Sequence, residues 1–478
     1  MSKAYIQGYR LSSFYNSIYF DTFYEALSEG NRQLVETLRT KISEGNTTLI
    51  DMNLAIFDYF SSNYDRWLKG MDKEFATVLR SDEFLSSLSE YVSSLVDLRS
   101  IYRQAGYPVD YNDILFDNSI KQTMSFSSIA KKYDSTPYEV LYTKGKVRLL
   151  HYIPNYRNKK IEEETKNIQS QESKSDSEVS PLLIIYAPIN RYHILDINQD
   201  KSIVAQLLRK GLDVYLLDWG YPDKSDDNLS INDYVNYIDR ALHLIQERGG
   251  GGSTTGSEMT SKVNKVSLLG YCWGGVFALI YCALNNNIRN LILMATPVDF
   301  SKDNTILAEW SRALDTEKIV GEFGHIDGQI LDLGFIMRNP PRYLFDKYLK
   351  FFKKLDDKKF VDTFISVEQW LYDTPPIPGN LYRQLVNDCY RKNMLISNSM
   401  YVDGKQIDLR NVDVPLLSIV AERDDLASPE SSLAVNNYVS SRDKTDMKNP
   451  GGHVGLCISS LAHEKLWPEV TEWIFSHN

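Results

Sequence analysis

From about residue 137 the chain alternates short, continuous apolar runs with amphipathic stretches, whereas residues 1 to about 130 show amphipathic stretches alone. The apolar runs are Val147–Tyr152, Leu182–Tyr186, Val214–Leu217, Lys265–Leu269, Leu291–Met294 and Leu416–Val420. Runs without polar alternation suit strands covered on both faces, and helical spacers between them predict a mostly parallel sheet. In the first 130 residues apolar positions recur at i, i+3 and i+4, as in Leu49–Leu68 and Phe84–Tyr102, which predicts helices. Aromatic residues crowd its start (Tyr5, Tyr9, Phe14, Tyr15, Tyr19, Phe20), and at helical spacing they read as a stripe facing a core rather than an exposed docking surface. Two polar stretches read as surface connections: 158–180, rich in Lys, Glu, Ser and Gln, and the glycine run that opens at Gly249. A longer interruption, Phe300 to Val412, is aromatic and helically periodic, as a cover over a site would be. The pattern divides the chain into a helical region (1–130), an α/β core (131–299 and 413–478) and a cap (300–412).

At 478 residues with 43% hydrophobic content, the chain is long enough for one large domain and an accessory region. A net charge of -10 excludes a general nucleic-acid binder, which carries a basic face. The longest clean apolar run, Val276 to Leu284, is about half of a membrane span, so no transmembrane segment is expected. The first residues, Met1-Ser2-Lys3-Ala4-Tyr5, lack the apolar core of a signal peptide, and a cytoplasmic protein is expected. Four scattered cysteines and no clustered histidines indicate neither a disulfide framework nor a zinc site; no metal and no organic cofactor are expected.

The chemistry centres on Gly270-Tyr271-Cys272-Trp273-Gly274, set between a strand-like and a helix-like run. This is the context of the nucleophile elbow of an α/β-hydrolase fold, with sulfur as the attacking atom. The bare pentapeptide is equally compatible with a buried free cysteine acting as a small hydrophobe, the role expected of Cys282, Cys389 and Cys457. An acid and then a histidine must follow the nucleophile in the chain. Arg423-Asp424-Asp425 follows the Leu416 run and offers two acids between which spacing does not choose, and His453 lies in the glycine-rich turn Pro450–Gly455. His193 precedes the nucleophile, whereas His463 and His477 read as solvated. An oxyanion hole would combine the backbone N–H of Trp273 with that of Ile189 or Asn190, in the loop after the Leu182 run.

Together these pieces resemble the polyhydroxyalkanoate synthases, over roughly Thr136 to the C-terminus. The resemblance rests on Thr136–Val140 with Leu149–Tyr152, Asn190-Arg191 with Ile194–Asp196, Asp213–Gly220, Leu269–Gly275, Ala295–Phe300, Trp370–Pro375, Asn393–Leu395, Ala421–Asp424 and Gly451–His453, in family order. It implies a Cys272–His453–Asp424 triad that polymerises 3-hydroxyacyl-CoA, 3-hydroxybutyryl-CoA above all, through an acyl-cysteine, with release of CoA. It selects Asp424 as the acid, assigned in the family to assisting attack by the substrate 3-hydroxyl, while Asp425 stands where the family usually has histidine. It also implies a homodimer and a polyester granule surface as partners. The matches are closest to the short two-component synthases, which work with a separate helical partner subunit, so residues 1–130 read as a fused partner-like module or a docking segment. A cysteine-dependent hydrolase or thioesterase, and a granule-associated scaffold without catalysis, are the alternative readings.

Overall fold

The computed structural model describes residues 136–154, 180–249, 265–285, 287–339 and 357–477, with single positions between 340 and 356. The helical expectation for 1–130 lies outside the described residues, as do nearly all of the polar stretch 158–180 and the glycine run after Gly249. Among the described residues, Glu309–Glu322 and the stretch from Leu333 to Lys358 belong to one compact unit and the rest to a second. The sheet and the site residues discussed below all belong to the second unit.

Eight strands form the main sheet: β1 (Tyr138–Lys144), β2 (Val147–Tyr152), β3 (Pro181–Ile185), β4 (Asp213–Asp218), β5 (Val266–Tyr271), β6 (Ile288–Met294), β7 (Leu416–Ala421) and β8 (Lys444–Asn449). Their spatial order is β1-β2-β4-β3-β5-β6-β7-β8. β2 pairs antiparallel with β1 and β4, and all other pairings are parallel. Every residue of β3, β5 and β7 is buried, as expected of strands covered on both faces. The six apolar runs thus become strands, with bounds shifted by a residue or more in most.

The two strands that the apolar pattern does not single out are the outermost ones. β8 exposes Lys444, Asp446 and Lys448 alternately, so it carries no continuous apolar signal, and its charges discourage pairing with another chain. β1 is mostly exposed and bulged between Val140 and Tyr142.

The described helices include α1 (Ile203–Arg209), α2 (Ile231–Gly249), α3 (Trp273–Leu284), α4 (Gly328–Met337), α5 (Lys358–Leu371) and α6 (Trp467–Ser476). α3 is buried from Trp273 to Ala283, the mark of a helix apolar all round at the centre of a core. Residues 300–412 lie between β6 and β7 and include α4 and α5, a ribbon pairing His325–Ile326 with Ile377–Pro378, and a π-helical turn at Leu385–Arg391. None of the described helices is long and apolar enough to cross a membrane.

Candidate active site

Cys272 stands between the end of β5 and the start of α3 with φ 55° and ψ -126°. A non-glycine residue at positive φ is strained, and such strain persists only where the surroundings over-determine it. The backbone does so here: Cys272 N–H donates to the Met294 carbonyl at 2.9 Å, and Gly275 N–H to the Cys272 carbonyl at 2.9 Å. The flanking glycines allow the close approach. A Cβ on Gly270 would lie 2.3 Å from the Gly275 Cα, and one on Gly274 would lie 2.1 Å from the Ile185 carbonyl oxygen at the end of β3. The turn is thereby pressed against β3, the strand paired with β5.

The four cysteines separate by environment. Cys272 is half-buried, whereas Cys282, Cys389 and Cys457 are buried and unbridged. Burial pushes the thiols of Cys282 and Cys457 up to about 12 and that of Cys389 higher still, so these three stay protonated and pack as apolar groups.

His453 and Asp424 meet at the same place. His453 Nδ1 donates to Asp424 Oδ2 at 2.8 Å, which leaves Nε2 clear of the acid, and Cys272 lies close enough to act electrostatically on the imidazole. The other carboxylate oxygen of Asp424 accepts from the amides of Leu426 and Ala427 at 2.9 and 3.0 Å. Burial opposes a charge on His453, but the Asp424 carboxylate and Cys272 outweigh it and push the imidazole up to about 10. The ring stacks on Tyr271 at 4.9 Å between centroids, and the Tyr271 hydroxyl donates to the His453 carbonyl at 3.2 Å. Asp425, the next residue in the chain after Asp424, is half-buried.

Trp273 opens α3, where first-turn amides have no partner within the helix. Its indole stacks on Phe300 at 5.3 Å, and Tyr390 meets both rings edge-on. Phe300 is tied in turn to the inserted segment: Asn393 accepts from the Phe300 amide at 3.1 Å and donates to Asp299 at 2.8 Å. Ile189 and Asn190 are half-buried in the loop after β3, Asn190 with φ 58°. The structure therefore joins His453 to Asp424 by a hydrogen bond, brings Cys272 within electrostatic reach of the imidazole, sets Trp273 next after the cysteine, and puts Ile189 and Asn190 on the loop leading from β3.

The solvated reading of His463 and His477 is corrected. His463 Nε2 bonds the Cys457 carbonyl at 2.8 Å, while His477 stacks on Trp473 and bonds Asp443 at 2.9 Å. His193 is buried against Tyr192. Sequence reasoning left the Trp370–Pro375 stretch and Asn393 without a role, although both stood in the resemblance. Their side chains bond residues remote in the chain, which no local pattern reveals.

The sheet order, the strained cysteine after β5 and the histidine–acid pair after β7 and β8 define an α/β-hydrolase, and a model of the alpha/beta hydrolase fold matches residues 192–456. Three relatives called poly(3-hydroxyalkanoate) polymerase subunit PhaC narrow the class. That of Haloferax mediterranei is 36% identical over 388 residues, covering 80% of this chain and 71% of its own. That of Thiocystis violacea is 38% identical over 297 residues (62% and 80%), and that of Synechocystis sp. is 34% identical over 348 residues (71% and 84%). The chain belongs to the PhaC family of poly(3-hydroxyalkanoate) polymerase subunits.

Proposed function

We propose that the chain polymerises 3-hydroxyacyl-CoA, with 3-hydroxybutyryl-CoA as the first substrate to try, into polyester with release of CoA. The observation that carries this reading is the buried, hydrogen-bonded Asp424–His453 pair within electrostatic reach of a half-buried cysteine in a strained turn. The names of the relatives support the polymer chemistry.

In this reading His453 Nε2 holds the proton of the Cys272 thiol, and the thiolate adds to the thioester carbonyl. The negative oxygen is met by the Trp273 amide and by an amide at Ile189 or Asn190. The bond to the CoA sulfur then breaks, His453 returns the proton to the departing CoA, and the acyl group stays on Cys272. The 3-hydroxyl of another acyl unit next gives its proton to His453 and attacks the acyl-cysteine, forming the ester and freeing Cys272. Asp424 holds the imidazole through Oδ2, and in this reading its help to that hydroxyl passes through His453. No metal and no organic cofactor enters these steps. Residues 300–412 serve as the cap that keeps water from the acyl-enzyme. Residues 1–130 serve as the contact with a helical partner subunit, a second copy or a polyester granule in the cytoplasm.

Incubating the purified chain with 3-hydroxybutyryl-CoA while following free CoA and polymer together tests the reading. CoA release matched by polymer, and lost in Cys272→Ala, is the expected result. Stoichiometric free hydroxyacid without polymer makes the chain a cysteine-dependent hydrolase or thioesterase. Full polymerisation by Cys272→Ala removes the catalytic assignment altogether and leaves the scaffold reading.

A further inference from the structure

The loop after β3 is fastened to Trp370–Pro375 by side chains from both segments. Trp370 Nε1 donates to the Arg191 carbonyl at 2.6 Å. Asn190 Nδ2 donates to the Leu371 carbonyl at 3.2 Å and to the Thr374 hydroxyl at 2.7 Å. A short hydrogen bond joins the Tyr221 hydroxyl to Asp373, and the Arg191 guanidinium lies over the Tyr221 ring, 4.5 Å from its centroid.

Behind Thr374 stands Asp332 of α4, only 4% exposed, whose Oδ1 accepts from the Thr374 hydroxyl at 2.5 Å. The segments carrying Asp332 and Thr374 are locked together. A Cβ on Gly328, at the start of α4, would lie 1.9 Å from the Thr374 carbonyl oxygen, and the ribbon of His325–Ile326 with Ile377–Pro378 joins the same two stretches. A buried carboxyl is costly in a mere packing layer. Burial, with the charges of Asp327 and Asp373, pushes Asp332 up to about 7, while the Thr374 hydrogen bond opposes that rise.

The pattern has a direction. A threonine hydroxyl has one proton and two lone pairs. Donating to Asp332, it turns a lone pair to Asn190, and each bond polarises the next. Asn190 is the residue at positive φ in the loop proposed to supply the second oxyanion amide.

We propose that Thr374 is a positioning residue: its hydroxyl, oriented by Asp332, holds the Asn190 side chain and so fixes the turn whose amides face the oxyanion. This role rests on the polyester-forming reading of the site and gives the Trp370–Pro375 stretch its function.

Three full-length variants test it, Thr374→Val, Thr374→Ser and Asp332→Asn, through CoA release from 3-hydroxybutyryl-CoA and hydrogen–deuterium exchange of residues 187–195. Thr374→Val keeps the side-chain shape without the hydroxyl; the expected result is a kcat lower by about 10- to 100-fold with KM within about twofold, and faster exchange in the loop. Thr374→Ser restores the hydroxyl, and its kcat is expected within about threefold of the wild type, with Asp332→Asn falling between the two. Wild-type kcat in Thr374→Val, a loss confined to KM, unchanged loop exchange, or a Thr374→Ser as slow as Thr374→Val would each overturn the positioning role. A wild type that releases hydroxyacid and no polymer overturns the polyester reading alone, and CoA release by the Val and Ser variants still decides the role of Thr374. A wild type that releases no CoA overturns both.

Discussion

The two turns that flank the proposed oxyanion are held by different physics. At the elbow after β5, backbone meets backbone: Gly270 touches Gly275, Gly274 lies against the end of β3, and the Cys272 amide bonds Met294. At the loop after β3, side chains carry the load, with Asn190 bonded to Thr374 and Leu371, and Trp370 bonded to Arg191. The first turn is shaped by excluded volume and tolerates no added atom. The second is shaped by hydrogen bonds that are lost one at a time. One amide should therefore fail abruptly under substitution and the other by degrees.

The largest effect belongs to the thiol. Cys272→Ala is expected to lower CoA release by at least about 10⁴-fold with an unchanged thermal midpoint, read by initial rates and a melt. Asp424→Asn comes next, with kcat lower by about 10³- to 10⁴-fold. Its pH profile tests the cause: His453 is raised to about 10 in the fold, so its proton is held below that value and lost above it. Wild-type kcat/KM should fall as pH rises through about 10, and in Asp424→Asn the falling limb should move toward the ordinary imidazole value of 6.5. An unmoved limb would remove Asp424 as the cause of the shift.

Gly274→Ala probes the steric turn. The new methyl meets backbone oxygen rather than a pliable side chain, and about 1–3 kcal/mol of stability should be lost in urea unfolding, together with most activity. Asn190→Ala probes the polar turn. It should cost about 1 kcal/mol and slow kcat less than Gly274→Ala does. The smallest effect is a difference between differences: in the Thr374→Val background, Asn190→Ala should lower kcat by less than it does alone, because both remove one tie. Strict additivity in that double-mutant cycle would mean that the two side chains act separately.

The same contrast explains what was readable in the chain. Gly270, Gly274 and Gly275 sit within a few residues of Cys272, so a steric turn writes itself locally, between an apolar run and a helical one. The central strands were legible because burial on both faces leaves no polar alternation. β1 and β8 were not, because each lies at a sheet edge with exposed side chains. The resemblance chose Asp424 over Asp425 where spacing did not, and Asp424 is the one whose carboxylate bonds His453. The Asn190–Thr374–Asp332 line stayed hidden because its members are far apart in the chain and each is an ordinary polar residue in its own neighbourhood. His463 and His477 misled for a related reason: a place late in the chain does not say which remote groups a side chain bonds.

The pairing of Leu416 on β7 with Leu291 on β6 spans the whole of residues 300–412. Closing so long a loop is slow compared with forming β5 and α3, which are neighbours in the chain. On the ribosome Cys272 would thus emerge and fold into its turn well before Asp424 and His453 exist to arm it. If the proposed reading holds, the nascent chain carries a thiol still without its base, and the competence to attack acyl-CoA arrives only when the last strands join the sheet.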